Sequence, residues 1–382
     1  MRHTRGFTLV ELMVAVAIGL VLLAGIATVF IAQRQVYTTA SAQASIQNAE
    51  NAIAAMVTPS IRSAGFAGCG SFNSAWNQSI ITPSGGLAYN FTAPVQGYDA
   101  VAAMTSLNAP GSSSAADWSP ALDSSLLGLP APETPEKGSD VIAIAGTMPG
   151  TMPVSTTNGP GASGQLAVAT LPYPSGTPSA IPAGTIAIVS NCAKAQFFLV
   201  FSQSSNSANN VVHVNWSETG NKQADFTTQF PVGSQFSLIQ QVVYYVGQTP
   251  GGQSALYAAA MMNNQWQSLC VLFGTCPATG SGPQASFYAP QPLVPGVDNM
   301  QILYGVGQGG VSQQWVPASQ VTNWNQVNAV RMGFLIEGPI GSATYESNPT
   351  AWPVLGTTVN VPRDTRLRHV YVMTISIRNA TL

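Results

Sequence analysis

The chain has 382 residues, of which only 7% are charged, and its 14 acidic and 12 basic residues leave a net charge of −2. Typical soluble domains carry about 25% charged residues, so this composition favours an extracytoplasmic protein over a cytosolic enzyme. The near-neutral charge and the lack of a long basic run exclude nucleic-acid binding from the predicted functions. The 36 glycines and 27 prolines predict a protein of strands, turns and loops.

A short basic leader precedes a long apolar run at the N-terminus. Two arginines lie within residues 1–6, and Glu11 is the only charged residue between Phe7 and Ala32. Such a run is long enough to span a bilayer as a helix, which needs about 20 apolar residues. The arginines predict that the leader stays on the cytoplasmic side, so that the rest of the chain faces the periplasm. A carboxylate inside a membrane span is costly, so Glu11 is predicted to be functional and to have a partner.

The segment GFTLVELM, which begins at Gly6, resembles the class III leader of type IV prepilins and of type II secretion pseudopilins. In that family, a membrane peptidase cuts after the glycine, N-methylates the new amino terminus and leaves the apolar helix attached. The resemblance implies that Gly6 precedes the cut and that Phe7 becomes the methylated first residue. It also implies that Glu11 meets the Phe7 amine of a neighbouring subunit. The alternative is a plain single-span anchor in which Glu11 occurs by chance.

The helix is predicted to continue beyond the membrane. Apolar residues recur at a loose helical spacing from Gln33 to Ser63, and alanine is frequent there. Pro59 predicts a kink or an end nearby. A helix from Phe7 to about Arg62 would be about 80 Å long at about 1.5 Å per residue. Its second half is expected to lay the apolar stripe on a β-sheet.

Segments rich in β-branched and aromatic residues are predicted as strands, and turn residues between them predict an antiparallel sheet. The predicted strands are Asp140–Ala145, Gln165–Thr170, Thr185–Ser190, Ala195–Ser202, Asn210–Trp216, Phe236–Val246, Met300–Gly305, Ala329–Glu337 and Arg368–Arg378. Residues 63–139 and 147–184 are rich in Ser, Gly, Pro and Ala and are predicted to be mainly long loops.

Further short segments resemble the scattered signatures of PilW-type minor pilins. These segments are 62–69, 138–142, 188–198, 293–305 and 375–379. Because they are spread over most of the chain, the PilW type is favoured over its shorter relative in type II secretion, the J-type pseudopilin. The sequence departs from the pattern at Ala258, where an arginine is expected after the tyrosine, and at Val306-Gly307, where an acidic residue is usual.

The predicted fold class is α+β and pilin-like, with a long N-terminal transmembrane helix packed on an antiparallel β-sheet that carries long loop insertions. The predicted divisions are the leader (1–6), the helix (7–62, transmembrane over 7–32 and amphipathic over 33–62), a loop-rich variable β region (63–187) and a β-sheet domain (188–382).

The four cysteines, Cys69, Cys192, Cys270 and Cys276, allow three disulfide pairings. Disulfides are the default in an oxidising periplasm. The short spacing of Cys270 and Cys276 favours a local bridge, which would leave Cys69 to pair with Cys192. A zinc site is the alternative, but the chain has no Cys-x-x-Cys spacing, and the two histidines beyond the leader are distant from any cysteine in sequence.

Catalysis has no support in the residue pattern. His213 is predicted to point outward from a strand, and His369 ends the basic run Arg363–His369, which is predicted to be a solvated strand entry or a subunit contact. The glycine-rich segment 305–310 lies between predicted strands and does not have the context of a phosphate-binding loop. No catalytic residue, metal site or cofactor is therefore expected.

The resemblance implies a minor pilin with a single span in the inner membrane and a periplasmic C-terminal domain, which then enters the pilus near its tip. Its implied role is to prime pilus assembly. The implied partners are the prepilin peptidase, other minor pilins, the major pilin and a tip adhesin. Two alternatives stay open: a J-type pseudopilin of type II secretion, and a membrane-anchored periplasmic module for adhesion or ligand binding.

Overall fold

The computed structural model describes most of the chain, and every structural statement below refers to these residues. They are 8–68, 70–72, 77–81, 93–101, 113–129, 133–147, 152–155, 165–168, 186–200, 202–205, 210–213, 221–222, 226–262, 265–267, 290–345 and 348–380.

Helix α1 runs from Leu9 to Arg62 and has 54 residues, which makes it about 80 Å long at about 1.5 Å per residue. Thr8 is its N-cap. Pro59 lies in the last turn, where the backbone N–H of Ser63 donates to its carbonyl at 3.0 Å. The predicted end near Pro59 is thus found at Arg62.

Gly65 turns the chain from helix α1 into the sheets. Its φ of +71° is in the left-handed region, which favours glycine. Its backbone N–H donates to the carbonyl of Ala145 at 2.8 Å. A Cβ at this position would lie 2.6 Å from Cβ of Pro94, so only glycine fits between the helix end and the neighbouring strand.

In the part of the chain that the structure describes, twenty strands and a second, short α-helix follow. Helix α2 is Ser124–Leu127. The strands are β1 (Asn77–Ser79), β2 (Val95–Ala100), β3 (Trp118–Ser119), β4 (Val141–Thr147), β5 (Met152–Pro153), β6 (Gln165–Val168), β7 (Ile186–Ser190), β8 (Ala195–Leu199), β9 (Ser202–Ser205), β10 (Asn210–His213), β11 (Gln235–Gln248), β12 (Ser254–Met262), β13 (Gln265–Gln267), β14 (Gln291–Pro295), β15 (Val297–Val306), β16 (Gln314–Val316), β17 (Val327–Ile340), β18 (Ala351–Val354), β19 (Thr357–Asn360) and β20 (Arg366–Ser376).

The strands form one large sheet and three smaller ones. The main path of the 11-stranded sheet is β1-β8-β7-β11-β4-β2-β3, and β12 joins it beside β11; the four-stranded sheet has the order β16-β15-β17-β20. Strands β6, β10 and β9 form a third sheet, and β18 pairs with β19. Among the described strands, pairing is antiparallel as predicted, except that β1 and β8 are parallel.

Each predicted strand corresponds to a strand of the structure, with ends that differ by a few residues. Eleven of the described strands have no predicted counterpart, and most of these are short: β1, β2, β3, β5, β9, β12, β13, β14, β16, β18 and β19. Strand β12 contains the run Ala258-Ala259-Ala260, which favours helix by composition, and it is a strand because it is buried beside β11. The predicted division between residues 187 and 188 falls inside β7, which pairs with β8 on one side and β11 on the other. The sheet therefore continues across that point.

The second half of α1 packs on the four-stranded sheet and shares its core with the large sheet. The helix buries one stripe at helical spacing: Ala42, Ile46, Ile53, Val57 and Ile61. The same core includes apolar residues of β17, β15 and β11, among them Phe334, Met332, Met300 and Leu238. The first half of α1 extends away from this core.

Candidate assembly site

Glu11 lies in the first turn of α1, where it forms a capping box with Thr8. The backbone N–H of Glu11 donates to Oγ1 of Thr8 at 3.3 Å. In return, Oε2 of Glu11 accepts from the backbone N–H and the hydroxyl of Thr8 at 3.5 and 3.4 Å. These are long hydrogen bonds, and a carboxylate at a helix N-terminus is also favoured by the helix dipole. The carboxylate is therefore oriented by its own helix but only weakly engaged.

The first half of α1 exposes its apolar side chains on all sides. An 18-residue stretch of this helix meets the length and composition of a membrane span, and none of that stretch is buried. Leu9 is 75% exposed and Phe30 is 66% exposed. A helix that is apolar all round needs an apolar surrounding, which a bilayer or a bundle of similar helices provides. Around Glu11, a shallow groove of about 480 Å³ is lined by Thr8, Val10, Glu11, Val14, Ala15 and Ile18.

The second half of α1 is joined to the last strand by a polar contact. Nδ1 of His369 lies 2.7 Å from Oε1 of Glu50. At the end of the helix, Nδ2 of Asn379 donates to the carbonyl of Ala64 at 3.1 Å. The two signature segments 62–69 and 375–379, which are more than three hundred residues apart, thus meet in space. They fix the direction of β20 along α1.

A second pair of signature segments, 138–142 and 293–305, also meets. Oδ1 and Oδ2 of Asp140 accept from the backbone N–H groups of Ala100 and Ile302 at 2.9 and 2.7 Å. Nδ2 of Asn299 donates to the carbonyl of Gly138 at 2.8 Å. The hydroxyl of Ser139 accepts from the backbone N–H of Met300 at 3.1 Å. These bonds tie the segment that leads into β4 to β15, so they hold the large sheet to the four-stranded one.

A buried ionic cluster lies at the start of β20. Nε of Arg368 donates to Oδ2 of Asp298 at 2.7 Å, and both side chains are almost fully buried. Arg368 also donates to both carboxylate oxygens of Asp364, at 2.7 and 2.8 Å. Glu337 lies 3.5 Å from Arg368 and accepts from Arg366 at 2.9 Å. The prediction of a solvated strand entry is therefore wrong for Arg368, because its positive charge balances buried carboxylates of β15 and β17.

Burial dominates the pKa values of these carboxyl groups. Burial raises the pKa of Asp298, and the neighbouring Glu337 raises it further, while Arg368 opposes both effects. Burial also raises the pKa of Glu136 to about 7, although Gln248 donates to it at 2.9 Å. Asp364 is less buried, and although burial acts upward, the hydrogen bonds from Arg368 and from the Arg366 backbone lower its pKa.

The remaining predicted site residues divide between described and undescribed parts of the chain. Gly6, Phe7, Cys69, Cys270 and Cys276 lie outside the described residues. Cys192 is disulfide-bonded, and it has a positive φ of 62°. Gly68, which precedes Cys69, lies against the hydroxyl of Ser190, two residues before Cys192.

Sequence reasoning did not identify the ionic cluster or the buried carboxyls Glu136 and Asp140. The acidic residues are dispersed in sequence, and only the pairing of β15, β17 and β20 brings Asp298, Glu337 and Arg368 together. Charged residues inside otherwise apolar strands were the one available signal. Within the described residues, no group of three or more His, Cys, Asp or Glu is arranged to hold a metal ion.

Comparisons with known proteins match both ends of the chain. Residues 1–27 match the family described as Prokaryotic N-terminal methylation motif. Residues 243–379 match the family described as Type IV Pilus-assembly protein W. This second match includes β15, β17 and β20 and therefore the ionic cluster. The chain is thus pilin-like, with an N-terminal methylation motif and a PilW-type C-terminal region.

Among solved structures, a type IV-like pilin from Thermus thermophilus is similar to the chain at 16% identity. The similarity covers 52% of this chain and 88% of the Thermus chain, with a TM-score of 0.21. No curated protein matches the chain.

Proposed function

We propose that this pilin-like chain of the PilW type is a minor pilin, which is cleaved after Gly6, methylated at Phe7 and docked through α1 into a type IV pilus assembly. The observation that carries the proposal is the exposed apolar half of α1, which begins at a weakly engaged carboxylate, Glu11. The match of residues 1–27 to the methylation motif supports the processing step.

Docking follows from the cost of placing Glu11 in an apolar layer. A charge at the bilayer centre costs about 2.5–3.5 kcal/mol on insertion scales, and less near the interface. The new amino terminus of a neighbouring subunit is a cation, whose charge is opposite to that of the Glu11 carboxylate. Its pairing with Glu11 offsets part of this cost, because an ion pair in a low-dielectric layer is strong when both groups are also hydrogen-bonded. Assembly thereby depends on prior cleavage, since the amine exists only after the leader is removed.

The proposed place of the chain is the priming complex of minor pilins at the pilus tip. The PilW-type region and its resemblance to minor pilins support this role. The proposed partners are the prepilin peptidase, the other minor pilins and the major pilin, with a tip adhesin as a further one. Residues after α1's membrane half would lie in the periplasm before assembly and outside the cell after it.

The test is the Glu11→Ala variant of the full-length chain, with Glu50→Ala as the matched control. Both variants remove a glutamate from α1, but Glu50 lies in the half that packs on the sheet. We expect Glu11→Ala to insert in the membrane at a normal level and to co-purify with partner pilins about tenfold less, whereas Glu50→Ala should co-purify normally. Normal co-purification and normal piliation of Glu11→Ala would contradict the proposal.

A deletion separates the pilus from type II secretion. Loss of pili and of twitching motility is expected for a minor pilin, whereas loss of exoprotein secretion with intact pili would indicate a pseudopilin. A membrane-anchored binding module predicts neither defect.

A further inference from the structure

Strand β20 is the outer strand of the four-stranded sheet, and among the described strands it pairs with β17 only. The backbone N–H of Ile377 donates to the carbonyl of Asn328 at 2.8 Å, which fixes the phase of this ladder. Residues of an antiparallel pair alternate between bonded and non-bonded positions. The odd-numbered residues from His369 onward therefore bond to β17. The backbone groups that point away from β17 belong to Val370, Val372, Thr374 and Ser376.

No described strand pairs with this outward edge, although the β18–β19 hairpin packs against the side chain of Val370. No backbone hydrogen bond to another element is found there for residues 370, 372, 374 and 376. Val372 is 46% exposed, and Thr374 and Ser376 are also exposed. The side chains of Tyr371, Met373 and Ile375 lie on one face of β20 and pack in the core that includes α1.

The edge of β20 lacks the usual protection against strand addition. Proteins shorten their edge strands or place Lys, Pro or a bulge in them. The described strands with a partner on one side only in the two larger sheets have two to five residues: β1, β3, β5, β13, β14 and β16. Strand β20 has 11. From His369 to Ser376 it has no Lys and no Pro, and its register is unbroken. An edge of this kind is a template for a further strand.

The direction of β20 restricts what can pair with it. His369 contacts Glu50, and Asn379 contacts Ala64, so β20 runs along α1 and away from the apolar half. Subunits that share one membrane have this direction in common. Two β20 strands therefore cannot meet in the antiparallel arrangement, which is the more stable one. An antiparallel strand on this edge must run toward the membrane and come from a different surface.

A cationic groove lies beyond the end of β20 that is distant from the membrane. It has a volume of about 820 Å³, and its lining includes Arg62, Phe66 and Arg378 together with small residues of α1 such as Ala54 and Ala55. No acidic residue is among the described residues that line it. A strand that runs toward the membrane would pass this groove with its first residues. The positive charge of Arg62 then favours a carboxylate at the start of that strand.

We infer that the edge of β20 is a strand-addition interface for another membrane-anchored, pilin-type subunit. The added strand runs toward the membrane, carries β-branched residues opposite Val370 and Val372, and starts with a carboxylate side chain that enters the groove beside Arg62. The class of partner rests on the proposed function. The open edge itself rests only on the register of β17 and β20.

The test uses the full-length chain in cells that make the complete pilus machinery. A photo-crosslinking amino acid is placed at Val372, with Val311, which is 64% exposed, as the control position. Thr374→Pro removes an outward N–H without removing a bond to β17, and Thr374→Val keeps that N–H. Both variants lose the hydrogen bond from Nε of Arg331 to the hydroxyl of Thr374, so they differ in the outward N–H and in the fixed φ of proline.

We expect a crosslink from position 372, but not from position 311, to another pilin-type subunit. Thr374→Pro should lower the yield of this crosslink about tenfold, because the proline removes a hydrogen bond and blocks close approach of the added strand. Thr374→Val should leave the yield unchanged. If Thr374→Pro is not stably produced, Val372→Lys is tested by co-purification in its place. The lysine places a charge beside the open edge of β20 and keeps every backbone N–H.

Several results would overturn the inference. They are a crosslink only to a second copy of this chain, a crosslink only to a protein that is not pilin-like, or equal yields for the proline and valine variants. Absence of any crosslink from position 372 in a chain that still co-purifies with pilins would overturn the edge interface and leave the proposed function intact. Failure of the unmodified chain to co-purify with any pilin would instead contradict the proposed function.

Discussion

Arg368 of β20 donates through Nε to the carboxylate of Asp298 on β15 at 2.7 Å, and the two strands are separated by β17. The ion pair therefore passes beneath β17 and joins the two strands on either side of it, β15 and β20. Because both side chains are almost fully buried, neither charge has water to replace its partner.

Arg368→Met should destabilise the fold severely, because it leaves the buried Asp298 without a counter-charge. The expected loss is about 3–5 kcal/mol of unfolding free energy, the usual cost of breaking a buried pair on one side. Arg366→Met is the matched control, since Arg366 is more exposed and its partner Glu337 retains a contact with Arg368. Chemical unfolding of the detergent-solubilised chain checks this. Equal losses for both variants would contradict the assignment of Arg368 as the central cation.

Glu136→Gln should raise stability at alkaline pH and leave it nearly unchanged at acidic pH. Burial raises the pKa of Glu136 from 4.5 to about 7, so the folded state prefers the protonated carboxyl. The folded state then binds more protons than the unfolded one, and stability falls as pH rises from about 4.5 to about 7. A pKa shift of this size lowers the free energy of unfolding by about 3 kcal/mol at pH 8. The isosteric glutamine has no charge to bury, so the variant should regain this stability.

The measurement is the free energy of unfolding of both proteins at pH 5 and at pH 8. The pKa values of Asp298 and Asp140 are also raised, and both residues remain in the variant. The stability of Glu136→Gln should therefore keep part of the pH dependence of the unmodified chain. A difference between the two proteins that is the same at both pH values would show that Glu136 does not titrate in this range.

Non-reducing peptide mapping should find a disulfide between Cys69 and Cys192 and another between Cys270 and Cys276. The contact of Gly68 with Ser190 brings the flanking residues of the first pair together. Cys69→Ser should therefore release a free thiol at Cys192 and destabilise the chain by about 4–5 kcal/mol in the chain-entropy model for a loop of more than a hundred residues. A mapped bridge from Cys192 to Cys270 or Cys276 would refute this pairing.

Gly6→Ala should block removal of the leader and give a chain that is longer by the leader on a gel or by mass spectrometry. The resemblance to prepilins places Gly6 directly before the cut. Thr4→Ala in the same leader is the control and should be processed normally. A mature-length product from Gly6→Ala, with methylated Phe7, would rule out this cleavage site.

Local patterns predicted the elements of this fold well. The apolar run and the alanine-rich stripe predicted α1, and β-branched segments predicted β11, β17 and β20, because side-chain spacing is a local property. The alanine-rich β12 was missed because its burial depends on the neighbouring β11, which sequence spacing does not reveal. The parallel pairing of β1 with β8 depends likewise on contacts between segments more than a hundred residues apart.

The candidate assembly site was predicted in part. The position of Glu11 in an apolar run was visible from sequence, whereas its capping box with Thr8 required the backbone geometry. The basic run Arg363–His369 predicts a solvated segment, because charges in a row usually face water. Only strand pairing shows that Arg368 points into the sheet while His369, the next residue, points to α1.

The bond from Asn379 to Ala64 has a mechanical consequence. It fastens the C-terminal end of the chain to the end of α1 that is distant from the membrane. A pull on the globular part would thus reach α1 partly through β20, which lies along the helix and is held to β17 by a continuous ladder. Such a load shears many parallel hydrogen bonds together instead of opening them one at a time. The arrangement suits a subunit that must carry tension without detachment of β20 from its sheet.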